Sequence, residues 1–270
     1  MLKPMESSRP MYDFVDPANP SMRNKGRLQT TVAGVNLDAT IQGFKTLAVY
    51  GRETQSRDID EIKTSGPKRF LRSKLQAKTI VLKYELVARD NRDFVEQFEL
   101  LNHLLDHEIT QWTFTDDPDF YYLGLVSEMD PPDVNALAVI GEIEIETIDA
   151  YKRRIDSETW EFETTASFME AGPSKTEIEQ MTIEVLEAGD FLHILNESTG
   201  FRLDMARTTE PGDVVTFDFV NGTITGEGGQ SLMKHLALTS DFEDFGLNNL
   251  DVLRINPASK VRVIHREARL

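Results

Sequence analysis

Cysteine is absent from all 270 residues. This absence excludes a disulfide framework, a thiol nucleophile and a thiolate metal site. Long apolar runs are also missing, since the longest span only a few residues and a membrane helix needs about 20. The first residues include Lys3, Pro4 and Glu6, and they lack the apolar centre of a secretory signal. We therefore expect a water-soluble protein that has no membrane partner.

A basic surface is lacking as well, because the chain carries 46 acidic and 29 basic side chains, a net charge of −17. Residues 1–155 have a balance of −5 and residues 156–270 one of −12. Binding of nucleic acid requires clustered Lys and Arg that neutralise phosphates. We expect no specific binding of nucleic acid, although a neutral or acidic channel could let DNA pass without holding it.

Histidines are few, and one pair of them has metal-ligand spacing. His103 and His107 lie four residues apart, a spacing that can hold zinc on a helix. Leu104 follows His103 where a zinc protease would have its catalytic Glu, so the general base is missing. We interpret the pair as part of a solvated helix face. The other histidines have no evident Ser or Asp partner in the sequence: His193, His235 and His265.

Two further motifs resemble ligand sites only in part. An acidic run at residues 116–119 could chelate calcium, but the glycine and the final glutamate of an EF-hand loop are not in register. The glycine-rich residues 226–229 lack the Lys-Ser/Thr pair that completes a phosphate-binding loop. We predict an acidic turn at the first position and a flexible strand connection at the second. No catalytic residue, bound metal or cofactor is predicted anywhere in the chain.

Residues 52–78 depart from the acidic character of the chain, with eight basic and four acidic side chains. Apolar residues are few, and Gly66-Pro67 interrupts the segment. One interpretation is a solvated loop, and the other is an arm that reaches an acidic neighbouring subunit. Nucleic-acid contact is disfavoured because repeated aromatics between the charges are lacking. The predicted subunit-interface residues are Arg57, Lys63, Lys68, Arg69, Arg72 and Lys74.

A helix is predicted at residues 91–107. Its apolar residues recur at helical spacing and fall on one side of a helix that turns about 100° per residue: Phe94, Phe98, Leu101 and Leu105. Asp90 or Asn91 can cap the start of this helix. The helix needs a sheet on which to bury its apolar face, and the flanking segments can provide one.

Strands are predicted on both sides of this helix. The strand and hairpin candidates are residues 28–37, 40–50, 79–89, 112–123 and 136–147. Apolar residues alternate along residues 79–89, and Ile143 and Ile145 alternate with glutamates, which buries one face of each strand. Strands with one helix on a face indicate an α+β domain, to which we assign residues 1–154.

The remainder of the chain is predicted to be a separate domain at residues 155–270. A charged stretch at 151–174, which ends in Gly172-Pro173-Ser174, is predicted to be the junction. Beyond it we find no convincing helix, and Asn221-Gly222 is a strong hairpin-turn signal. Alternation indicates strands around Met181, Ile183 and Val185, and around Phe191, His193 and Leu195. Many short strands separated by turns indicate a β-sandwich.

An ordered series of motifs resembles the N-terminal domain of siphophage distal tail proteins, the Dit family. The series is "YELVARDNRDFVEQFELLNHLL", then "WTFTDDPDFYYLGLV", then "GEIEIETIDAYKR". Upstream, "MYDFVD" at residues 11–16 and "GFKTLAVYGRE" at residues 43–53 occupy corresponding places. The series covers most of residues 11–154, and a fainter likeness continues to the end of the chain.

The resemblance implies a mainly β fold with one helix. An α+β domain similar to tail-tube proteins would be followed by a galectin-like β-sandwich. It also implies a structural virion protein at the distal tail tip, assembled in the host cytoplasm as a homohexameric ring. Its partners would be the tail tube protein, the tail-tip protein and, through the C-terminal domain, receptor-binding proteins. DNA would pass through the ring without being bound specifically.

Two other classes of protein compete with this interpretation. A galectin-like sandwich can bind sugars, so a carbohydrate-binding module protein is the alternative hypothesis. Sugar sites usually expose aromatics, yet the C-terminal half has Trp160 and no Tyr after Tyr151, and its Phe residues suit a core. A cell-wall hydrolase is disfavoured because no catalytic motif is found. We predict that the protein is not an enzyme.

Overall fold

The computed structural model of the chain describes residues 28–62, 69–130, 137–169 and 175–270. Contacts between residues divide the chain into two compact units, Met1–Ala150 and Tyr151–Leu270. Each unit has its own hydrophobic core. No helix among the described residues is both long and apolar enough to cross a membrane.

The first unit is an antiparallel sheet with one main helix. Its elements are β1 (Thr30–Val32), β2 (Val35–Asn36), α1 (Leu37–Thr40), β3 (Phe44–Tyr50), β4 (Arg57–Ile62), β5 (Arg69–Leu75), β6 (Thr79–Val87), α2 (Asn91–Leu105), β7 (Thr110–Phe114), β8 (Asp117–Met129) and β9 (Ala138–Thr147). The order of strands in the main sheet is β3-β6-β9-β8-β7-β1-β2. Strands β4 and β5 pair only with each other, in a separate two-stranded sheet.

The core of this unit follows the alternation of the sequence. Ile80, Leu82, Tyr84 and Leu86 of β6 are fully buried, because alternate residues of a strand point to the same face of the sheet. Helix α2 contributes the predicted stripe, in which Leu101 and Leu105 are buried and Phe94 and Phe98 are partly buried against the same core. The helix covers one face of the sheet, which confirms the expected mainly β fold with one main helix.

The start of α2 is capped as predicted. The carboxylate of Asp90 accepts a hydrogen bond from the backbone N–H of Asp93 at 2.9 Å. The guanidinium and backbone N–H of Arg89 bind the carboxylate of Asp93 and lower the pKa of Asp93 below its ordinary value. The helix ends at Leu105, so His107 lies beyond it and shares no helix face with His103.

A short helix that the sequence pattern did not predict precedes β3. Helix α1 lies where the predicted hairpin at residues 28–37 ends and the predicted strand at residues 40–50 begins, and Asn36 caps it. The carboxylate of Asp38 in this helix accepts hydrogen bonds from the backbone N–H of Thr46 at 2.8 Å and of Thr30 at 3.2 Å. Because β1 and β3 lie far apart in the strand order, Asp38 joins opposite ends of the sheet, which therefore curls.

The predicted acidic turn is shorter than expected. Thr115 and Asp116 form the turn, and β8 begins at Asp117. Phe114 lies opposite Asp117 while the preceding Thr113 lies opposite Tyr121, so the register shifts at this point and residues 118–120 form a bulge in β8. A bulge tolerates Pro118, which has no backbone N–H to donate to a ladder.

The second unit is a β-sandwich. Its elements are β10 (Lys152–Arg154), β11 (Glu158–Glu163), β12 (Thr165–Ser167), β13 (Lys175–Val185), β14 (Leu192–Asn196), β15 (Arg202–Met205), β16 (Val214–Asp218), β17 (Thr223–Gly226), β18 (Leu247–Asn248), β19 (Val252–Asn256) and β20 (Ser259–Arg269). One sheet has the order β17-β16-β13-β20, with β10 and β11 on the other edge of β20 and β18 beside β13. The facing sheet has the order β12-β19-β14-β15.

The facing sheets bury one apolar core. Met181, Ile183 and Phe217 come from the first sheet, and Leu192 and Ile194 come from the second. The predicted alternating residues of β14 therefore lie on the face of the strand that points away from the core. Phe191, the first residue of the predicted set, is 53% exposed.

The predicted junction at residues 151–174 is wrong for most of its length. Strands β10, β11 and β12 lie within it and belong to the second unit. Trp160 and Phe162 alternate with glutamates in β11 and pack against the core of the sandwich, a two-residue period that the abundance of charge concealed. Residues 170–174, with the predicted Gly-Pro break, lie outside the described residues. Independent folding of 1–154 and 155–270 stays a prediction.

Candidate subunit interface

Strands β4 and β5 form an arm that leaves the main sheet between β3 and β6. We call the paired strands the stem of the arm, and we call Arg52 and Lys78, which flank it, the root. Most described side chains of residues 53–60 and 72–77 are exposed to solvent. A two-stranded hairpin without a covering layer is marginally stable in water. The stem therefore has the properties of an element that is completed by a second surface.

The first anchor of the root is the guanidinium of Arg52. It donates hydrogen bonds to both carboxylate oxygens of Asp116, with Nη1 at 2.8 Å from Oδ1. It also lies over the ring of Phe114, 4.9 Å from the centroid, and its side chain is only 12% exposed. Burial alone would lower the pKa of Arg52, but the hydrogen bonds and charge of Asp116 outweigh burial and raise it. The arm is thus fixed to the β7–β8 hairpin.

The second anchor is Lys78, which is buried at the start of β6. Its ammonium donates to the carbonyl oxygen of Arg52 at 2.7 Å and so joins the two ends of the arm. The backbone N–H of Lys78 donates to the hydroxyl of Thr147 at 2.7 Å. These contacts hold both chain segments of the arm at the edge of the core, and they make the root a defined structure rather than a loose loop.

Tyr122 completes the surroundings of Arg52. Its ring packs near Phe114, with centroids 6.3 Å apart, and the residue is buried. Burial raises the pKa of Tyr122 to about 12, although the nearby positive charge of Arg52 acts in the opposite direction. The paired guanidinium of the root is therefore accompanied by the neutral phenol of Tyr122.

The contacts of Arg52 and Lys78 reduce the excess positive charge that the composition of residues 52–78 suggested. Arg52 is neutralised by Asp116 and Lys78 is buried, so neither offers an exposed positive charge to a partner. Residues 53–77 then contain six basic and four acidic side chains, an excess of two rather than four. The attraction of the arm for an acidic surface is weaker than composition implied.

The stem has two different faces, because successive residues of a strand point to opposite sides. On one side Asp58 lies opposite Lys74 and Asp60 lies opposite Arg72. Asp60 and Arg72 form an ion pair. We call this side the ionic face. Two acidic and two basic groups balance each other there, so the ionic face carries no net charge.

The other side of the stem is the apolar face. Ile59 lies opposite Ser73, and Leu75 lies opposite Arg57. Ile59 is 52% exposed, which is unusual for an isoleucine in a strand. The guanidinium of Arg57 donates to the hydroxyl of Ser73 at 3.1 Å, and no ion pair of Arg57 occurs within the described residues. Among its described side chains, this face presents the apolar groups of Ile59 and Leu75 with the cation of Arg57 at the margin.

The six predicted interface residues have different positions in the structure. Arg57 is on the apolar face, whereas Arg72 and Lys74 are on the ionic face opposite aspartates. Arg69 lies in β5, and its side chain is outside the description. Lys63 and Lys68 lie outside the described residues. Whether these residues contact another subunit stays a prediction.

Sequence reasoning missed the apolar face. The signal was present in the alternation of Arg57 and Ile59 with Asp58 and Asp60, but it covers only four residues. The abundance of charge in the composition conceals this alternation. The register of the hairpin separates the charges from the apolar side chains, and register is a property of two strands.

Two of the other sequence candidates have structural partners. Asp116 is bound to Arg52, and His193, for which no partner was evident, pairs with Asp204 across β14 and β15. Asp204 also lies 3.4 Å from the guanidinium of Arg202. Within the described part of the chain, no group of three or more His, Asp or Glu residues is arranged to hold a metal ion.

Comparison with solved structures places this architecture among known proteins. The structure matches the crystal structure of the phage SPP1 Dit protein (gp 19.1) with a TM-score of 0.72. The match covers 90% of this chain and 99% of that chain, at 16% sequence identity. This chain has the Dit fold. The likeness includes both units, and it confirms the mainly β fold class that the sequence resemblance implied.

Two weaker matches are to chains of phage baseplate structures. The structures of the phage P2 baseplate in its activated conformation with Ca and with Sr give TM-scores of 0.48 and 0.49, at 9% and 10% identity. They cover 90% and 91% of this chain, and 98% and 99% of the matched chains. No protein-family model matches the chain, and no curated protein matches it.

Proposed function

We propose that this protein is a structural component of a long-tailed phage that forms a ring at the distal end of the tail. The ring joins the tail tube to the baseplate and the host-recognition proteins, and it leaves a channel for DNA. The observation that carries the proposal is the fold match to SPP1 Dit, which spans 90% of this chain and 99% of that protein. That protein is described as a paradigm of the hub of the adsorption apparatus in phages that infect Gram-positive bacteria.

The ring is proposed to be a homohexamer made by the first unit. In a cyclic assembly each subunit presents one surface to the next subunit and a different surface to the previous one. The exposed arm suits the role of one such surface, because its stem needs cover and its root is firmly fixed. We propose residues 1–154 as the ring-forming domain and residues 155–270 as a separate galectin-like domain that receives receptor-binding proteins.

The remaining partners in the proposal are the tail tube protein on one side and the tail-tip protein on the other. DNA passes through the channel and is not gripped, in agreement with a net charge of −17. Assembly takes place in the host cytoplasm, and the mature location is the distal tail of the virion. We propose no catalytic role, because Asp116 and His193 serve structural contacts.

Imaging of the purified protein by negative stain tests the proposal, with native mass spectrometry as a second measurement. The expected result is a six-fold ring with a central hole and a mass of six chains of 30.6 kDa each. A stable monomer at all concentrations contradicts the proposal. A stable monomer that binds a polysaccharide would support the carbohydrate-binding alternative instead.

A further inference from the structure

The outward face of the main sheet carries a second exposed apolar surface. Val87 at the end of β6 lies opposite Ala138 of β9, and Ile140 follows two residues later on the same face. Val87 is 45% and Ile140 is 62% exposed. We call Val87, Ala138 and Ile140 the patch. Adjacent exposed apolar side chains leave apolar surface in water, and burial against a partner is favourable for such surface.

The patch and the root of the arm lie at opposite ends of the same strand. Strand β6 begins at Thr79, next to the root, and ends at Val87 in the patch. Nine residues at about 3.3 Å per residue place these two ends roughly 26 Å apart. The arm leaves the sheet at one end, and the side chains of Val87 and Ile140 are exposed at the other. Two different surfaces at opposite ends of a subunit are the arrangement that a head-to-tail contact requires.

Charge complementarity between the arm and the patch favours the same pairing. Arg57 on the apolar face has no acidic partner among the described residues, although it is bound to Ser73. Next to the patch, Glu85 lies directly opposite Ile140, and its carboxylate is 3.8 Å from Lys45, a loose ion pair. A guanidinium that approaches Glu85 would gain a charge-assisted hydrogen bond. The ionic face of the stem offers no such excess charge.

We propose that the apolar face of the arm of one copy packs on the patch of the next copy in the ring. Ile59 and Leu75 cover Val87 and Ile140, and Arg57 binds Glu85 at the margin. The ionic face remains in solvent, where its charges pair within the hairpin. This inference rests on the proposed ring function and names the two surfaces that form the contact between its subunits.

The absence of cysteine allows a direct test by cross-linking. Ile59→Cys and Ile140→Cys are made as separate single variants and mixed during assembly, then treated with a short bis-maleimide. A covalent dimer is expected from the mixture and not from either variant alone. Val95→Cys, which replaces an exposed residue of α2, is the matched control and should give no dimer with Ile59→Cys.

A variant with exchanged charges on the ionic face tests which face of the stem makes the contact. Asp58→Lys, Asp60→Arg, Arg72→Asp and Lys74→Asp are combined, so that each cross-strand pair keeps opposite charges. Ring assembly and the Ile59–Ile140 cross-link should persist in this background. Ile59→Asp alone should leave monomers with an unchanged far-ultraviolet spectrum, because it places a charge in the apolar contact.

Three results would overturn the inference. If the unmodified protein and the two cysteine variants form rings but the mixture of the variants gives no cross-link, the pairing is overturned and the ring function stands. Loss of rings in the charge-exchange variant would assign the contact to the ionic face. An unmodified protein that stays monomeric would contradict the proposed function and this inference together.

Discussion

At the root of the arm the guanidinium of Arg52 is held between Asp116 and the ring of Phe114, whereas in the stem the guanidinium of Arg72 pairs with Asp60 in open solvent. The same residue types are 12% exposed at the root and 82% exposed in the stem. At the root the guanidinium of Arg52 is largely buried although Asp116 is 46% exposed, and an ion pair with a buried member is more expensive to break than one with both groups exposed. The root should therefore fix the arm to its own subunit, and the stem should be free to use its other face for a partner.

The largest difference between root and stem is expected from single arginine replacements. Arg52→Ala removes charge-assisted hydrogen bonds and packing over Phe114, so the free energy of unfolding should fall by about 3 kcal/mol. Arg72→Ala is the matched control and should change it by less than about 0.5 kcal/mol. Urea denaturation of both variants measures the two values. Equal losses would show that the root is no more important to the fold than the stem.

A pH titration tests the root independently. The pKa of Tyr122 is raised to about 12 in the folded protein, above the ordinary value of 10.0, so the folded state keeps its proton longer than the unfolded state. The contribution of Tyr122 to the free energy of unfolding is therefore fully present below pH 10. It is lost as the pH rises towards 12, which lowers the free energy of unfolding by about 2 kcal/mol.

Unfolding experiments at pH 9 to 12 measure this loss. Tyr122→Phe should reduce the decline, because phenylalanine has no proton to lose. Tyr50→Phe, which removes an exposed hydroxyl near the root, should leave the decline in place. An identical decline in all three proteins would exclude Tyr122 as its source.

A smaller effect is expected at the second anchor. Lys78→Met keeps the length of the side chain but removes the hydrogen bond to the carbonyl of Arg52, so stability should fall by about 1 kcal/mol. Lys74→Met in the exposed stem is the control and should be neutral. Limited proteolysis should also cleave the Lys78→Met arm faster. If both lysine variants behave alike, the ammonium of Lys78 is not an anchor.

The smallest effect should come from the ionic face of the stem. A double-mutant cycle of Asp60→Asn and Arg72→Gln should give a coupling energy below about 0.5 kcal/mol, and high salt should abolish it. Ring assembly should be unaffected by either change. A coupling of several kcal/mol would mean that this pair is buried in the assembly, contrary to the proposed exposure of the ionic face.

Local patterns were sufficient for the elements whose residues lie close together in the chain. The alternation in β6 and the apolar stripe of α2 gave the correct faces, and the hairpin around Asn221-Gly222 was found from its turn residues. Helix α1 was missed because it has only four residues, too few for a helical period to appear. Strand β11 was missed because its glutamates outnumber its aromatic residues.

Sequence patterns were sufficient to predict the mainly β composition, the position of the main helix and the exceptional character of residues 52–78. The structure of that segment depends on contacts between residues that are distant in the chain. The partner of Arg52 is 64 residues away, and the faces of the stem depend on the register between β4 and β5. Periodicity records which side of an element is buried, because burial repeats along the chain. It does not record which distant group completes an ion pair or which residue lies opposite in a neighbouring strand, since those are properties of two segments brought together by folding.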